Sequence, residues 1–398
     1  MLTAPLELDC RVQNYAWGKP GSESAVARLR SIHDPIDESA PYAELWMGTH
    51  YNGPSLALNS KTPLKDVLDG NDLPFLFKVL SVNKALSIQA HPDKNLAKVL
   101  HKASPMHYAD DNHKPEMAVA LTRFEALCGF RPVFEIAQFL SEVPQLRRLV
   151  GEDAAQEFLN CVQSEQKCKK QLRSIFTNLM TSRAEDVQRE LNSLLHEIED
   201  LRLTIEGSHS KLDIKTLVNR LSAEYPNDVG VFCVFFLNAL ELQPGSGLYL
   251  GANEPHAYLS GDCIEVMACS DNVVRAGLTP KYRDVATLCS MLTYNASVPE
   301  IRQGHTLDEN TMEYRAPVSE FYLTKTRIAA KSESLSSMLQ ALPSVSIALV
   351  ISGSGRLNDI ALKPGTVVAI PAMFESIVEA DVGNDLILFR CSEKPDRN

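Results

Sequence analysis

The most informative segment of the chain runs from Phe75 to Pro92 and reads FLFKVLSVNKALSIQAHP. Polar and apolar residues alternate in its second half. Successive side chains of a β-strand point to opposite faces, so Ser87, Gln89 and His91 would share one face of a strand. A hydroxyl, an amide and an imidazole make a poor core face and a good wall for a binding site. A half-solvated edge strand would show the same alternation, so other segments have to decide between the two interpretations.

Size and composition indicate a globular protein with more than one core. The 398 residues are enough for two or three domains, and 44% hydrophobic with 22% charged residues is an ordinary mixture. The net charge is -11, without a Lys or Arg block long enough to follow a phosphate backbone, which argues against nucleic acid and anionic membranes as partners. A few local cations would still suffice for a small anion. The sequence begins without the features of a signal peptide and has no apolar run of about 18 residues.

The cysteines predict the redox environment. There are nine, none in a Cys-x-x-Cys pair, and Cys233 is typical in lying inside an apolar run. We therefore expect buried free thiols in a reducing compartment, which favours a cytoplasmic location. The nine are Cys10, Cys128, Cys161, Cys168, Cys233, Cys263, Cys269, Cys289 and Cys391.

Apolar spacing divides the chain into four parts. Residues 1–131 contain short strand-like runs broken by turn residues, whereas residues 132–228 carry apolar residues at helical spacing and predict a helical packing or lid domain. Strands resume in 229–322 and continue in a C-terminal part, 323–398. The nearly unbroken apolar run over 230–242 predicts a strand buried on both faces.

An internal echo indicates two related barrels. Pro244–Gly245 and Pro364–Gly365 are both turns between runs of β-formers, a pattern typical of jelly-roll or cupin-like barrels. Eleven residues after each glycine stand His256 in the first copy and Ser376 in the second. We therefore predict a mainly β protein with an α-helical insertion, in which one cupin-like barrel is catalytic and the other is degenerate.

Four residues far apart in the chain form a candidate metal site: Gln89, His91, Glu116 and His256. Two imidazoles, one carboxylate and one amide oxygen suit a divalent ion, zinc first, in a catalytic rather than a structural site. With one anionic ligand the ion would keep a net charge near +1 and remain an effective Lewis acid. His113 is expected to lie near this site without being a ligand. On a regular strand, residues 113 and 116 point to opposite faces, so its side chain would point away from that of Glu116.

Two charged residues follow His256 inside or beside an apolar run, namely Glu265 and Arg275. Charges in such surroundings lower stability unless they are paired or functional. A structural ion pair explains them as well as a catalytic role does.

Seven segments resemble the type I mannose-6-phosphate isomerases, most nearly those of animals and other eukaryotes. They fall in the family's order between residues 13 and 281, while the helical part and the last seventy or so residues match only in general character. The segments are QNYAWG (13–18), AELWMG (43–48), PFLFKVL (74–80), LSIQAHP (86–92), NHKPE (112–116), PHAY (255–258) and SDNVVRAGLTPK (270–281).

The resemblance implies a monomeric zinc enzyme that interconverts mannose 6-phosphate and fructose 6-phosphate and supplies mannose for GDP-mannose and glycosylation. It implies one Zn²⁺ per chain on the same four residues, and a catalytic role for Arg275. The remaining implied site residues are Lys114 and Glu265 as acid/base groups, Ser87, Lys78 and Lys281 as phosphate contacts, and Trp17 and Asp271 as further substrate contacts.

Several alternatives stay open at this point. The general base is Lys114 if desolvation lowers its pKa, or Glu265 if burial raises its pKa. Either His50 or Asp271 is a candidate for opening the sugar ring. An iron-dependent cupin oxygenase would share the barrel and the donors. A sugar-phosphate-binding cupin without catalysis is the other alternative.

Overall fold

A computed structural model describes residues 2–162, 165–203, 212–330 and 335–395. The strands are β1 Leu6–Asp9, β2 Arg11–Gln13, β3 Lys19–Pro20, β4 Pro41–Tyr42, β5 Glu44–Met47, β6 Leu56–Ala57, β7 Phe75–Val82, β8 Ile88–Ala90, β9 Glu116–Ala120, β10 Phe124–Phe130, β11 Leu237–Leu242, β12 Gly247–Leu250, β13 His256–Ala268, β14 Val274–Gly277, β15 Ile301–Arg302, β16 His305–Thr306, β17 Thr311–Tyr314, β18 Tyr322–Ile328, β19 Leu335–Leu339, β20 Ser346–Ser352, β21 Gly355–Leu357, β22 Ile360–Leu362, β23 Val367–Ile370, β24 Ser376–Ala380 and β25 Leu386–Ser392. The helices are α1 Ala25–Arg30, α2 Leu64–Val67, α3 Lys94–Ala103, α4 Val133–Glu142, α5 Pro144–Val150, α6 Glu152–Cys161, α7 Glu165–Met180, α8 Ala184–Glu197, α9 Ile214–Glu224 and α10 Val285–Met291, with 3₁₀ helices at Gly21–Glu23 and Val229–Phe235.

The sheet that carries the candidate site is built around β13. This 13-residue strand pairs with β7, β8, β9 and β10, all antiparallel. All eight residues of β7 are buried, because the run FLFKVLSV has a site on one face and a core on the other. The long central strand therefore brings distant parts of the chain to one place.

A second set of sheets follows in the C-terminal part. One has the order β16-β17-β18-β25-β20-β23-β1-β6, and a four-stranded sheet has the order β19-β24-β21-β22. The first shares an apolar core with the β13 sheet, in which Phe77 and Ile264 meet Leu349 and Phe389. The predicted fold class is confirmed: the protein is mainly β, with an α-helical insertion and a cupin-type architecture.

Helices α4 to α9 form the insertion, as the helical spacing predicts. Their buried residues, such as Phe139, Leu172 and Leu221, share one core with the 3₁₀ helix Val229–Phe235 and with β14. The insertion is thus packed directly on the sheet that carries the site. The division at residues 131/132, 228/229 and 322/323 stays a prediction, and we note that β1 and β6 pair within the C-terminal sheet.

The two Pro-Gly turns are equivalent in the structure. Gly245 and Gly365 both have positive φ, +87° and +93°, a conformation that favours glycine. His256 is the first residue of β13, and Ser376 is the first residue of β24. The sequence echo therefore reflects a repeated turn-and-strand arrangement.

The predicted strand over 230–242 is only half correct. Val229–Phe235 is a 3₁₀ helix, and the strand is confined to Leu237–Leu242. Asp228 caps the helix by accepting a hydrogen bond from the backbone N–H of Gly230 at 2.7 Å. An unbroken apolar run shows complete burial but has no period that separates helix from strand, which explains the error.

The prediction that all nine cysteines are free is wrong for one pair. Cys161, at the end of α6, and Cys168, in α7, form a disulfide with their Cα atoms 5.3 Å apart. The other seven are free, and all but Cys269 are buried. No helix in the described part of the chain combines the length and apolar character that crossing a membrane requires.

Candidate active site

Three of the four predicted metal donors meet in the interior. His91 follows β8, Glu116 begins β9 and His256 begins β13. One ligand atom from each of these side chains lies within 4.8 Å of the other two, and all three residues are buried. The pairings β8–β13 and β9–β13 produce this convergence, since the backbone of His256 is opposite Gln89 and that of Met267 is opposite Glu116.

The ligand atoms fit a cation. Nε2 of His91 is 3.3 Å from Oε1 of Glu116, and Nε2 of His256 is 3.5 Å from Oε2. Nε2 of His91 and Oε2 of Glu116 are buried and make no hydrogen bond with any described residue. Buried polar atoms without partners are costly, so these two atoms in one cluster indicate a site for a positively charged partner.

Backbone carbonyls orient both imidazoles. Nδ1 of His91 is 2.7 Å from the carbonyl oxygen of Asn272, and Nδ1 of His256 is 3.0 Å from that of Glu254. If each Nδ1–H donates to its carbonyl, each Nε2 keeps a lone pair for a metal. Burial lowers the pKa of His91 to about 4 against the opposing effect of Glu116, so this ring is neutral at pH 7.

Gln89, the fourth predicted metal donor, lies beside His256. Its Oε1 accepts a hydrogen bond from Ser87 Oγ at 3.0 Å, and its Nε2 is 3.4 Å from Nε2 of His256. The oxygen and nitrogen of an amide are nearly equivalent in shape, and the opposite orientation would turn Oε1 toward His256. Gln89 can therefore supply the amide oxygen that the sequence predicts.

A cavity of about 920 Å³ opens over this group. Strand alternation creates its wall: Lys78 and Glu265 face the cavity, whereas their neighbours Phe77 and Ile264 face the core between the sheets. Every predicted site residue except His91 and His256 lines the cavity. The predicted site residues that line the cavity are Trp17, Lys78, Ser87, Gln89, Lys114, Glu116, Glu265, Asp271, Arg275 and Lys281.

Lys78 and Glu265 form a buried charge cluster with Glu44. Nζ of Lys78 is 3.2 Å from Oε2 of Glu265 and 3.3 Å from Oε2 of Glu44, and Lys78 is only 6% exposed. Burial alone would lower the pKa of Lys78, but the nearby carboxylates outweigh it and raise that pKa. Burial raises the pKa of Glu265, and the charges of Glu116 and Glu44 add to this against the opposing effect of Lys78.

Arg275 and Lys281 place positive charge in the cavity without a carboxylate partner. Neither forms an ion pair within the described ranges. Burial lowers the pKa of both, and the charge of Arg275 lowers that of Lys281 further. Two adjacent, uncompensated cations in a half-buried cavity indicate an anionic ligand.

Asp271 closes one side of the cavity. Its Oδ1 is 3.3 Å from Nε2 of His50, and its Oδ2 accepts a hydrogen bond from the Tyr51 hydroxyl at 2.8 Å. The bond from His50 is the main reason that the pKa of Asp271 falls to about 2. His113 points elsewhere, with Nε2 at 2.6 Å from Oε1 of Glu320.

Sequence reasoning missed several residues of this site. Glu44 accepts a hydrogen bond from Trp46 Nε1 at 2.6 Å, and its signal was an acid inside the apolar strand ELWM. Lys84 and Tyr225 also line the cavity. A single lysine in a loop and a tyrosine at the end of a predicted helix gave no comparable signal.

Comparisons with known proteins give matches over most of the chain. Residues 6–133 match the family model "Phosphomannose isomerase type I, catalytic domain", and residues 149–237 match its "helical insertion domain". Mannose-6-phosphate isomerase 1 of Arabidopsis thaliana is 44% identical over 96% of this chain and 92% of its own length. The chain belongs to the type I phosphomannose isomerase family. Mannose-6-phosphate isomerase of Bos taurus is 43% identical, over 96% of this chain and 97% of its own length.

A solved member of the phosphomannose isomerases shares the whole fold. A crystal structure of mannose 6-phosphate isomerase bound with zinc and yttrium superposes with a TM-score of 0.81 at 30% identity. The superposition covers 98% of this chain and 100% of that one. The family's helical insertion and both sets of sheets are therefore present in this chain.

Proposed function

We propose that this chain interconverts mannose 6-phosphate and fructose 6-phosphate with one zinc ion held by Gln89, His91, Glu116 and His256. One observation carries the proposal: a buried group of ligand atoms, two of them without a hydrogen-bond partner, adjoins a cavity that contains uncompensated cations. Zinc bound by the solved relative supports the choice of metal. When bound, the ion supplies Lewis-acid polarisation of the sugar oxygens.

Arg275 would stabilise the charge that develops during the reaction. Moving a proton between C2 and C1 of the sugar passes through an enediolate, whose oxyanion is the main energetic obstacle. A guanidinium without a carboxylate partner needs no rearrangement to meet that charge. Arg275 lies opposite Gln89 across the β8–β14 pairing, so it is fixed beside the predicted metal ligands.

Glu265 and Lys114 are our candidates for proton transfer. A base works best when its pKa lies near the working pH, and burial moves the pKa of Glu265 upward. We therefore assign the carbon-bound proton to Glu265. Lys114, whose Nζ is 3.6 Å from Oε1 of Glu116, is placed to exchange a proton with a sugar oxygen near the metal site.

The remaining candidates bind the substrate. We propose Ser87 and Lys281 for the phosphate, Trp17 for the sugar face and Asp271, with its partner His50, for opening the ring. The phosphate role predicted for Lys78 stays a prediction, and its two carboxylate partners favour an effect on Glu265 instead.

We also propose a cytoplasmic location and a supply of mannose for GDP-mannose and glycosylation. One pair of cysteines forms a disulfide, but seven of the nine are free, and this excess of free thiols supports a reducing compartment. The monomeric state stays a prediction.

A coupled assay tests the function directly. Purified protein should convert mannose 6-phosphate to fructose 6-phosphate, lose the activity in a chelator, and regain it with added zinc. Oxygen uptake without isomerisation would indicate the cupin oxygenase, and sugar-phosphate binding without turnover would indicate the non-catalytic cupin.

A further inference from the structure

The loop formed by residues 83–87 joins β7 to β8 and leads directly into the site. Its last residue is Ser87, two positions before Gln89. The turn between β2 and β3 holds this loop in part: the backbone N–H groups of Asn83 and Lys84 donate to the carbonyl of Trp17 at 3.0 and 3.1 Å. The loop is therefore anchored to the rim of the cavity.

Strand β13 anchors the loop further, since the backbone N–H of Leu86 donates to the carbonyl of Tyr258 at 2.7 Å, and the helical insertion holds Ala85. Oε2 of Glu224, the last residue of α9, accepts a hydrogen bond from the backbone N–H of Ala85 at 2.9 Å. The hydroxyl of the next residue, Tyr225, donates to the carbonyl of Ala85 at 2.6 Å. Ala85 is only 1% exposed, so water does not readily replace these bonds. Both backbone groups of one loop residue thus depend on the insertion.

Tyr225 also holds the side chain of Lys84. The Lys84 ammonium lies over the tyrosine ring, 4.2 Å from its centroid, at a distance suited to a cation–π contact. Lys84 and Tyr225 line the cavity together with Ser87, Arg275 and Lys281. An ammonium held on an uncharged ring keeps its full charge for a ligand.

Two of the other cavity lysines are already engaged with carboxylates. Lys78 has Glu44 and Glu265, and Nζ of Lys114 is 3.6 Å from Glu116. In the described part of the chain, Lys84 has no such ion pair, like Arg275 and Lys281. A phosphate monoester carries a charge of about -1.5 to -2 at pH 7, so it calls for more than one cation.

We propose that Lys84 is a phosphate-binding cation and that Glu224 and Tyr225 are the residues that position it. The inference rests on the proposed function, because it takes the bound anion to be the phosphate of a sugar phosphate. It assigns the helical insertion a direct part in substrate binding. The end of α9 fixes the loop that carries Lys84 and Ser87, and the insertion does more than cover the sheet.

Lys84→Met is the first test. It should raise KM for mannose 6-phosphate about tenfold, with a smaller effect on kcat, because a charge-assisted contact to the phosphate is lost. The dissociation constant for inorganic phosphate, measured by calorimetry, should rise by a similar factor. Lys84→Arg should retain most of the affinity. The matched control is Lys363→Met, which removes the same charge from an exposed lysine in the turn between β22 and β23.

Tyr225→Phe tests the positioning. It removes the hydrogen bond to the Ala85 carbonyl and keeps the ring beneath Lys84. KM should therefore rise severalfold, which corresponds to the free energy of roughly one hydrogen bond. Zinc content should not change, because Gln89 is held separately by β13 and β14.

The outcomes separate this inference from the proposed function. A wild-type protein without isomerase turnover would overturn the function, whereas phosphate calorimetry would still test Lys84. Normal turnover with unchanged KM and phosphate affinity in Lys84→Met would overturn the role of Lys84. A lower melting temperature with unchanged KM would do the same, since it would make the Lys84–Tyr225 contact structural only.

Discussion

Nζ of Lys78 lies 3.2 Å from Oε2 of Glu265, and the two residues are directly opposite each other on the antiparallel strands β7 and β13. Glu44 holds the same ammonium from the adjacent strand, β5, at 3.3 Å. The charge of Lys78 is thus fixed beside the proposed base by backbone pairing. This arrangement makes Lys78 a regulator of the pKa of Glu265.

Replacing Lys78 by Met should shift the pH dependence of turnover. Proton abstraction requires an ionised Glu265, so activity falls as the pH drops through its pKa. Loss of the neighbouring cation raises that pKa, and we expect the acid limb of kcat/KM to move to higher pH by about one unit. Initial rates across the pH range measure this, with Lys363→Met as the charge-matched control. If the acid limb of kcat/KM stays in place and KM rises, the result would instead support the predicted contact of Lys78 with the phosphate.

Replacing Arg275 by Ala should abolish most turnover and leave zinc in place. The guanidinium is not among the metal donors, and removing one preorganised oxyanion partner lowers kcat by about 10²–10³. Zinc analysis and steady-state kinetics of the same preparation measure both effects. A variant with normal kcat and a higher KM would show that Arg275 only binds substrate.

Glu320 should contribute a pH-dependent part of the stability. Its Oε1 is 2.6 Å from Nε2 of His113 and 2.9 Å from Nζ of Lys94. Burial alone would raise its pKa, but the bonds from Lys94 and His113 lower it to about 2. The stabilisation is therefore present above the ordinary value of 4.5 and is lost as the pH falls toward 2.

The variant Glu320→Gln measures this contribution in zinc-free protein. Urea unfolding should show it less stable than wild type by about 1–2 kcal/mol at pH 7, allowing for solvent screening, and the difference should shrink as the pH falls below about 4.5. Glu309→Gln, at an exposed position, should show no such trend. A difference independent of pH would contradict the account.

The disulfide between Cys161 and Cys168 predicts a thiol count. Protein unfolded without reductant should react at the seven free cysteines, and at all nine after reduction. Closing so short a loop should stabilise the folded chain by about 2–3 kcal/mol relative to the reduced form. Nine reactive thiols before reduction would restore the prediction made from the sequence.

The sequence allowed the metal donors to be proposed because most of them lie in recognisable local patterns. Ser87, Gln89 and His91 alternate within one short segment, and the Pro-Gly echo singled out His256. These signals need no knowledge of tertiary contacts. The helical insertion was equally visible, since its apolar residues recur at a clear period.

The remaining features depend on contacts that no local pattern records. The acid Glu44 inside an apolar strand does not reveal its partner Lys78, and Lys84 looks like an ordinary loop residue until the insertion brings Tyr225 to it. The apolar run at Val229–Phe235 has no period, so its 3₁₀ conformation was hidden. Long-range packing, rather than propensity, decides each of these cases.

Metal analysis combined with turnover in His256→Ala and Ser376→Ala tests whether four donors hold a catalytic zinc ion. These residues occupy equivalent strand starts in the two halves of the echo, but only His256 belongs to the donor group. We predict about one zinc ion per chain and normal isomerisation for wild type and Ser376→Ala, with both lost in His256→Ala. Stoichiometric zinc and undiminished turnover in His256→Ala would contradict the account.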